Sequence, residues 1–175
     1  MSEETTDAPN ELNYFFSDSK ADLPFSLPEG KIDIAGIFEF VKFEIEDLVA
    51  QSWRTPRRFM NCDISGDVYI GEGVDIGSFT TIQGPVYIGD NVKIGSGALI
   101  RPGSVIADNC VIGHSAEVKN SIVLRGAKLQ SFSFTGDSLI GKGTRIASGV
   151  IIANRRFDQG TISQAYQTVA PSLVI

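Results

Sequence analysis

A single histidine, His114, and two cysteines, Cys62 and Cys110, are all that this 175-residue chain holds of the side chains that most often bind transition metals. One histidine per chain excludes a zinc site made of several imidazoles, unless copies share it on a symmetry axis, and no resident metal is expected. Both cysteines occupy positions where the pattern described below wants a small inward side chain. They read as buried free thiols, with neither the exposure of a nucleophile nor the setting of a disulfide. Long hydrophobic runs are also missing, since none approaches the ~20 residues of a membrane span. The opening MSEETTDAPNELN lacks the charged-then-apolar build of a signal peptide, so the expectation is a cytoplasmic protein with no membrane partner. Positive charge is scarce: 15 Lys and Arg face 21 Asp and Glu, a net charge of -6 that gives no basic field for nucleic acid. No GxGxxG follows a strand, and neither a complete GxxxxGK[ST] phosphate loop nor GxSxG occurs, which removes the common nucleotide-loop and serine-hydrolase readings.

What the chain does have is isoleucine at every sixth position: Ile64, Ile70, Ile76, Ile82, Ile88, Ile94, Ile100, Ile106 and Ile112. Val118 and Leu124 extend the series, and after a break it resumes at Ile140, Ile146 and Ile152. Two residues before each sits a small or branched side chain, such as Val68, Val74, Thr80, Ala98, Ser104 or Ala116, and the next residue is often glycine. A helical period of 3.6 cannot hold this register, whereas alternation within each six and a corner at each end can. The pattern is that of a β-solenoid, with three segments in each 18-residue coil and about five coils stacked ~4.8 Å apart. Residues 18 apart therefore lie above one another. Between Leu124 and Ile140 the spacing is 16, so two segments are each short by one. Leu129 and Phe134 are the expected inward residues there, with the ladder offset falling from 18 to 17 and then 16.

The flanks divide the chain further. Residues 1–12 are too polar to bury anything and read as a disordered tail. Residues 13–58 form an irregular wrapping segment followed by an amphipathic helix with Ile34, Ile37, Phe38, Val41, Ile45, Leu48 and Val49 on one face. A solenoid end exposes strand edges and needs a cap, and that role is assigned to this helix. The repeats occupy residues 59–154, and a C-terminal loop and tail occupies 155–175.

Two ladders carry candidate chemistry. Arg101 and Lys119 each follow an inward residue and lie one coil apart, placing two cations on one edge. A phosphate would relieve their repulsion, as would a neighbouring carboxylate. His114, the only imidazole available as a base, lies one shortened rung from Ser131; the alternative is a solvated corner histidine.

From Arg101 to Asp158 the chain contains, in order, the blocks IRPG, EVKNS, TGD followed by IG, and ANRRFD. This third of the chain resembles the acetyltransferase domain of the UDP-N-acetylglucosamine pyrophosphorylase/glucosamine-1-phosphate acetyltransferases, in particular short homologues without the nucleotidyltransferase domain. The resemblance implies an all-β fold, a left-handed parallel β-helix of hexapeptide repeats with an N-terminal capping helix. It implies a homotrimer whose sites lie between subunits and transfer acetyl from acetyl-CoA to a sugar phosphate or nucleotide sugar such as glucosamine 1-phosphate. By resemblance Arg101 and Lys119 hold the sugar phosphate, and Asn154 lies near the acetyl transfer site. Ser131 stands where the family has its histidine base, Phe134 where it has a sugar-binding tyrosine, and Arg145 where it has a sugar-contacting asparagine. Ala147 and Ser148 occupy the family's glycine-rich turn, on the acetyl-CoA side. A serine hydroxyl cannot accept a proton from an ammonium near neutral pH, so His114 is the candidate catalytic base. The alternative is a catalytically degenerate relative that binds a sugar phosphate or nucleotide sugar as a regulatory or structural trimeric module.

Overall fold

A computed structural model describes residues 23–26, 34–51 and 59–152. Asn154 and the segments 1–12 and 155–175 lie outside the described residues. The repeats form a left-handed parallel β-helix whose three flat faces are parallel sheets of six, five and five short strands. Sheet A stacks Asp63–Ser65, Thr81–Gln83, Leu99–Ile100, Glu117–Lys119, Phe134–Gly136 and Ile151–Ile152. Sheet B stacks Val68–Ile70, Val86–Ile88, Ser104–Ile106, Ile122–Val123 and Leu139–Ile140; sheet C stacks Asp75–Ile76, Lys93–Ile94, Val111–Ile112, Lys128–Leu129 and Arg145–Ile146. The inward isoleucines fill the axis as one core, with Ile82, Ile88 and Ile100 fully buried. Cys110 is buried among them and its thiol donates to the Leu124 carbonyl at 3.2 Å, while Cys62 is half-buried, and both are free.

Register confirms the 18-residue offset through the first coils, as in Asp63↔Thr81 and Leu99↔Glu117. It then falls to 17, as in Val105↔Ile122, Glu117↔Phe134 and Lys128↔Arg145, and stays there. The inward residue after Val118 is therefore Val123, which pairs with Ile106, and not Leu124. In the next coil Thr135, paired with Val118, points inward and Phe134 points out. Both lost residues come from the same corner, between sheets A and B. There Asn120 and Asp137 turn the chain with positive φ, of 44° and 48°, in the column that Gly103 occupies one coil earlier. The Asn120 amide Nδ2 donates to Asp137 Oδ1 at 2.6 Å, and the Ser121 hydroxyl accepts from Ser138 N at 3.1 Å, tying the two shortened corners together.

The helix spans Ile34–Gln51, close to where the period changes. Its apolar face (Ile37, Phe38, Val41, Ile45) packs against Val105, Ile122 and Leu124, with Tyr87 and Leu139 at the margins. It thus covers apolar surface as expected, but along the outer flank of sheet B instead of over the end of the coil. The cause lies in the outward columns. Sheet B presents Tyr69, Tyr87, Val105, Ile122 and Leu139, with the two tyrosine rings stacked at 4.9 Å. Sheet C presents Asp75, Lys93, Val111, Lys128 and Arg145. Only the former offers a helix a continuous apolar stripe. Leu23 joins the same cluster, and Phe25 meets the Phe40 ring edge-on at 6.2 Å.

Candidate functional site

The corner between sheets C and A concentrates the chain's unusual chemistry. Successive coils bring Ser78, Ser96, His114, Ser131 and Ser148 into one column. The amide of Ser115 bonds the Ser96 carbonyl at 3.0 Å, that of Phe132 the His114 carbonyl at 2.9 Å, and that of Gly149 the Ser131 carbonyl at 3.1 Å. His114 and Ser131 are thus one rung apart, as their spacing predicts. Gly95 and Gly113 permit the close stacking, since a Cβ on Gly113 would collide with the backbone of Gln130 and Ser131.

The imidazole is oriented. Its Nδ1 lies 2.6 Å from the Ser96 carbonyl oxygen, which can only accept, so the proton is assigned to Nδ1. Nε2 is then the basic nitrogen, and the Ser115 hydroxyl lies 3.2 Å from it, placed to donate. The ring is exposed, and Phe132 stands edge-on to it at a centroid distance of 5.1 Å. Phe132 is 64% exposed with φ of 60°, a backbone region that bulky residues rarely enter. Ser96, Ser115 and Phe132 were not identified from the sequence. Spacing places Ser96 one rung below His114, but nothing in the sequence marks its carbonyl as the partner of the ring.

The remaining candidates divide between two corners. Ala147 and Ser148 are exposed at the C–A corner one rung beyond Ser131, and Phe134 lies half-buried on sheet A three residues past Ser131. Arg145 is exposed on sheet C, just before the same corner. Arg101 and Lys119 sit at the opposite edge of sheet A. From His114 to Lys119 is five residues, about 16 Å at strand spacing, so one chain does not bring these cations to the imidazole. Each is also neutralised locally: Arg101 Nη1 lies 3.0 Å from Glu117 Oε1, and Lys119 Nζ 3.4 Å from Asp137 Oδ2. Carboxylates thus relieve the repulsion that a phosphate was invoked to relieve. Among the described residues no group of three or more His, Cys, Asp or Glu is placed to hold a metal, and no helix is long and apolar enough to cross a membrane.

The continuous ladder of six-residue segments and the oriented corner define a left-handed β-helix protein of the hexapeptide-repeat class. Residues 82–175, more than half of the chain, match the family described as the GMPPB C-terminal domain, and the chain belongs to that family. A bifunctional sugar-1-phosphate nucleotidylyltransferase/acetyltransferase of Sulfurisphaera tokodaii is 42% identical over 43 residues, which cover 25% of this chain and 11% of that protein. Among solved structures, a putative acetyltransferase of Bacillus cereus is 25% identical, with 53% of this chain and 62% of that one covered and a TM-score of 0.43. PerB of Caulobacter crescentus, solved with CoA and GDP-perosamine, is 17% identical, with 54% and 49% covered and a TM-score of 0.28.

Proposed function

We propose that the chain is an acyltransferase module that moves acetyl from acetyl-CoA to the amine of a sugar phosphate or nucleotide sugar, glucosamine 1-phosphate being one such acceptor. The observation that carries this reading is the 2.6 Å contact between His114 Nδ1 and the Ser96 carbonyl, which assigns the proton to Nδ1 and makes Nε2 the nitrogen that takes one. The acceptor's ammonium loses a proton to Nε2, directly or through the Ser115 hydroxyl. The resulting amine attacks the thioester carbonyl, the C–N bond forms, and the C–S bond breaks to release CoA as its thiol. The likeness to the Sulfurisphaera protein, whose name includes an acetyltransferase, supports this chemistry over other uses of a β-helix. A homotrimer would bring one copy's Arg101 and Lys119 edge towards another's His114 corner, which the ~16 Å separation within a chain requires if both serve one acceptor.

The test is CoA release from acetyl-CoA with glucosamine 1-phosphate as acceptor. Amine-dependent release that falls 10²- to 10⁴-fold in His114→Gln supports the base assignment. Full activity in that variant refutes it. The second reading, a non-catalytic binding module, is favoured by the neutralised Arg101 and Lys119 and by serine at position 131. Acceptor binding by calorimetry without any CoA release would select it.

A further inference from the structure

Three cations of the described residues, Arg101, Lys119 and Arg125, lie within 3.4 Å of a carboxylate, Arg125 through Asp108 at 3.2 Å. Lys128 and Arg145 behave differently. They are register partners on adjacent rungs of sheet C, about 4.8 Å apart, both exposed and both pointing away from the core. No carboxylate of the described residues pairs with either. Their column continues to Val111, which offers no charge, whereas Lys93 at its far end has Asp75 as its rung neighbour. In a chain of net charge -6, two adjacent like charges left uncompensated are out of keeping with every ion pair around them.

Their position relative to the imidazole gives the pair meaning. Lys128 precedes Ser131 by three residues and Arg145 precedes Ser148 by three, so both cations sit about 10 Å upstream of the C–A corner, on the strands that lead into it. Between the cations and the corner, the outward residues on their own rungs are Gln130 and Ala147, with Gly113, Gly95 and Gly77 on the rungs below. A ligand lying along sheet C would meet a lysine and a guanidinium side by side at one end and the His114 corner at the other.

We infer that Lys128 and Arg145 form the anion-binding site of this corner and that its ligand is a nucleoside pyrophosphate. Two adjacent cations, one a planar fork and the other a point charge, match two linked phosphates better than a single carboxylate. Either reactant of the proposed transfer carries that group: the thioester donor in its nucleotide end, or the acceptor if it is a nucleotide sugar. The inference rests on the proposed function for the identity of the reacting end, but not for the binding itself.

Calorimetric titration at low salt of the full chain with free CoA and, separately, with uridine diphosphate tests it. Wild type binds at least one of the two, and a Lys128→Ala, Arg145→Ala double variant loses at least tenfold in affinity, while Lys93→Ala stays within twofold. Binding of CoA alone assigns the phosphates to the donor, and binding of uridine diphosphate assigns them to the acceptor. Both exchanged side chains are exposed, so unchanged circular dichroism checks that the double variant is folded. Wild-type affinity in the double variant, an equal loss in Lys93→Ala, or no binding of either probe overturns the inference. Since no turnover is needed, a chain that binds through Lys128 and Arg145 but never releases CoA refutes only the transfer reading. A chain that turns over normally as the double variant refutes only this one.

Discussion

Replacing Ile45 by alanine tests whether the helix is held against the flank of sheet B. Ile45 is fully buried, in one cluster with Val105, Ile122 and Leu124 from two successive coils. Truncation loses three carbons of buried side chain, about 2 kcal/mol at ~0.8 kcal/mol per buried methylene. The vacancy lies between a helix and a rigid ladder whose backbone is hydrogen-bonded above and below, so it cannot close easily. A cavity contribution brings the expected cost to about 3 kcal/mol, within the usual 2–5 for such changes. Urea unfolding followed by far-ultraviolet circular dichroism should show the midpoint falling by about 1–2 M, given an m-value near 2 kcal/mol/M. Phe43, on the same helix but 67% exposed, is the internal control, and Phe43→Ala should stay within about 0.5 kcal/mol of wild type. If Ile45→Ala costs no more than Phe43→Ala, the helix does not pack on sheet B and the placement is wrong.

Three further outcomes are expected. Thr135 is fully buried in the axial core with no hydrogen-bond partner for its hydroxyl, so Thr135→Val should stabilise by about 1 kcal/mol in the same urea assay; a loss of stability would show that the hydroxyl is satisfied. Gly113→Ala places a methyl group on the backbone of Ser131, whereas Gly126→Ala meets open space at φ of 73°. The former should cost well over 2 kcal/mol and the latter only the ~1–2 kcal/mol of a left-handed alanine, and equal costs would contradict the rung spacing at the corner. Phe132→Gly removes an exposed ring from a left-handed position and should leave the thermal midpoint unchanged or raise it while weakening ligand binding at the corner. A large loss of stability would mean that the ring serves packing.

The corner site was half legible in the sequence. Spacing alone placed His114 on Ser131, because residue offset in a parallel ladder converts directly into height. The partners of the ring were missed because a carbonyl from Ser96 and the hydroxyl of a left-handed Ser115 have no sequence signature as ligands. Leu124 was expected to face inward for a physical reason. Ile122, Val123 and Leu124 are all apolar, since the strand is buried on one side by the core and on the other by the helix, and alternation vanishes wherever both faces are dry. Phe134 was expected inside because it is the more apolar of its pair. Parity along the strand decided otherwise, with Ser133 and Thr135 inside and the ring outside.

By itself the sequence determined the coil, the corners, the inward residues of the first three and a half turns, and the helix. These depend on local alternation and on a count of six that survives without any knowledge of neighbours. Tertiary structure alone decided the rest. It assigned both deletions to the corner where Asn120 and Asp137 turn the chain, so the offset stays at 17. It laid the helix along sheet B, because an apolar stripe is the sum of five residues drawn from five coils. It also neutralised Arg101 and Lys119 while leaving Lys128 and Arg145 bare, since the acids that pair with the first two arrive from the next rung, 16 to 18 residues away.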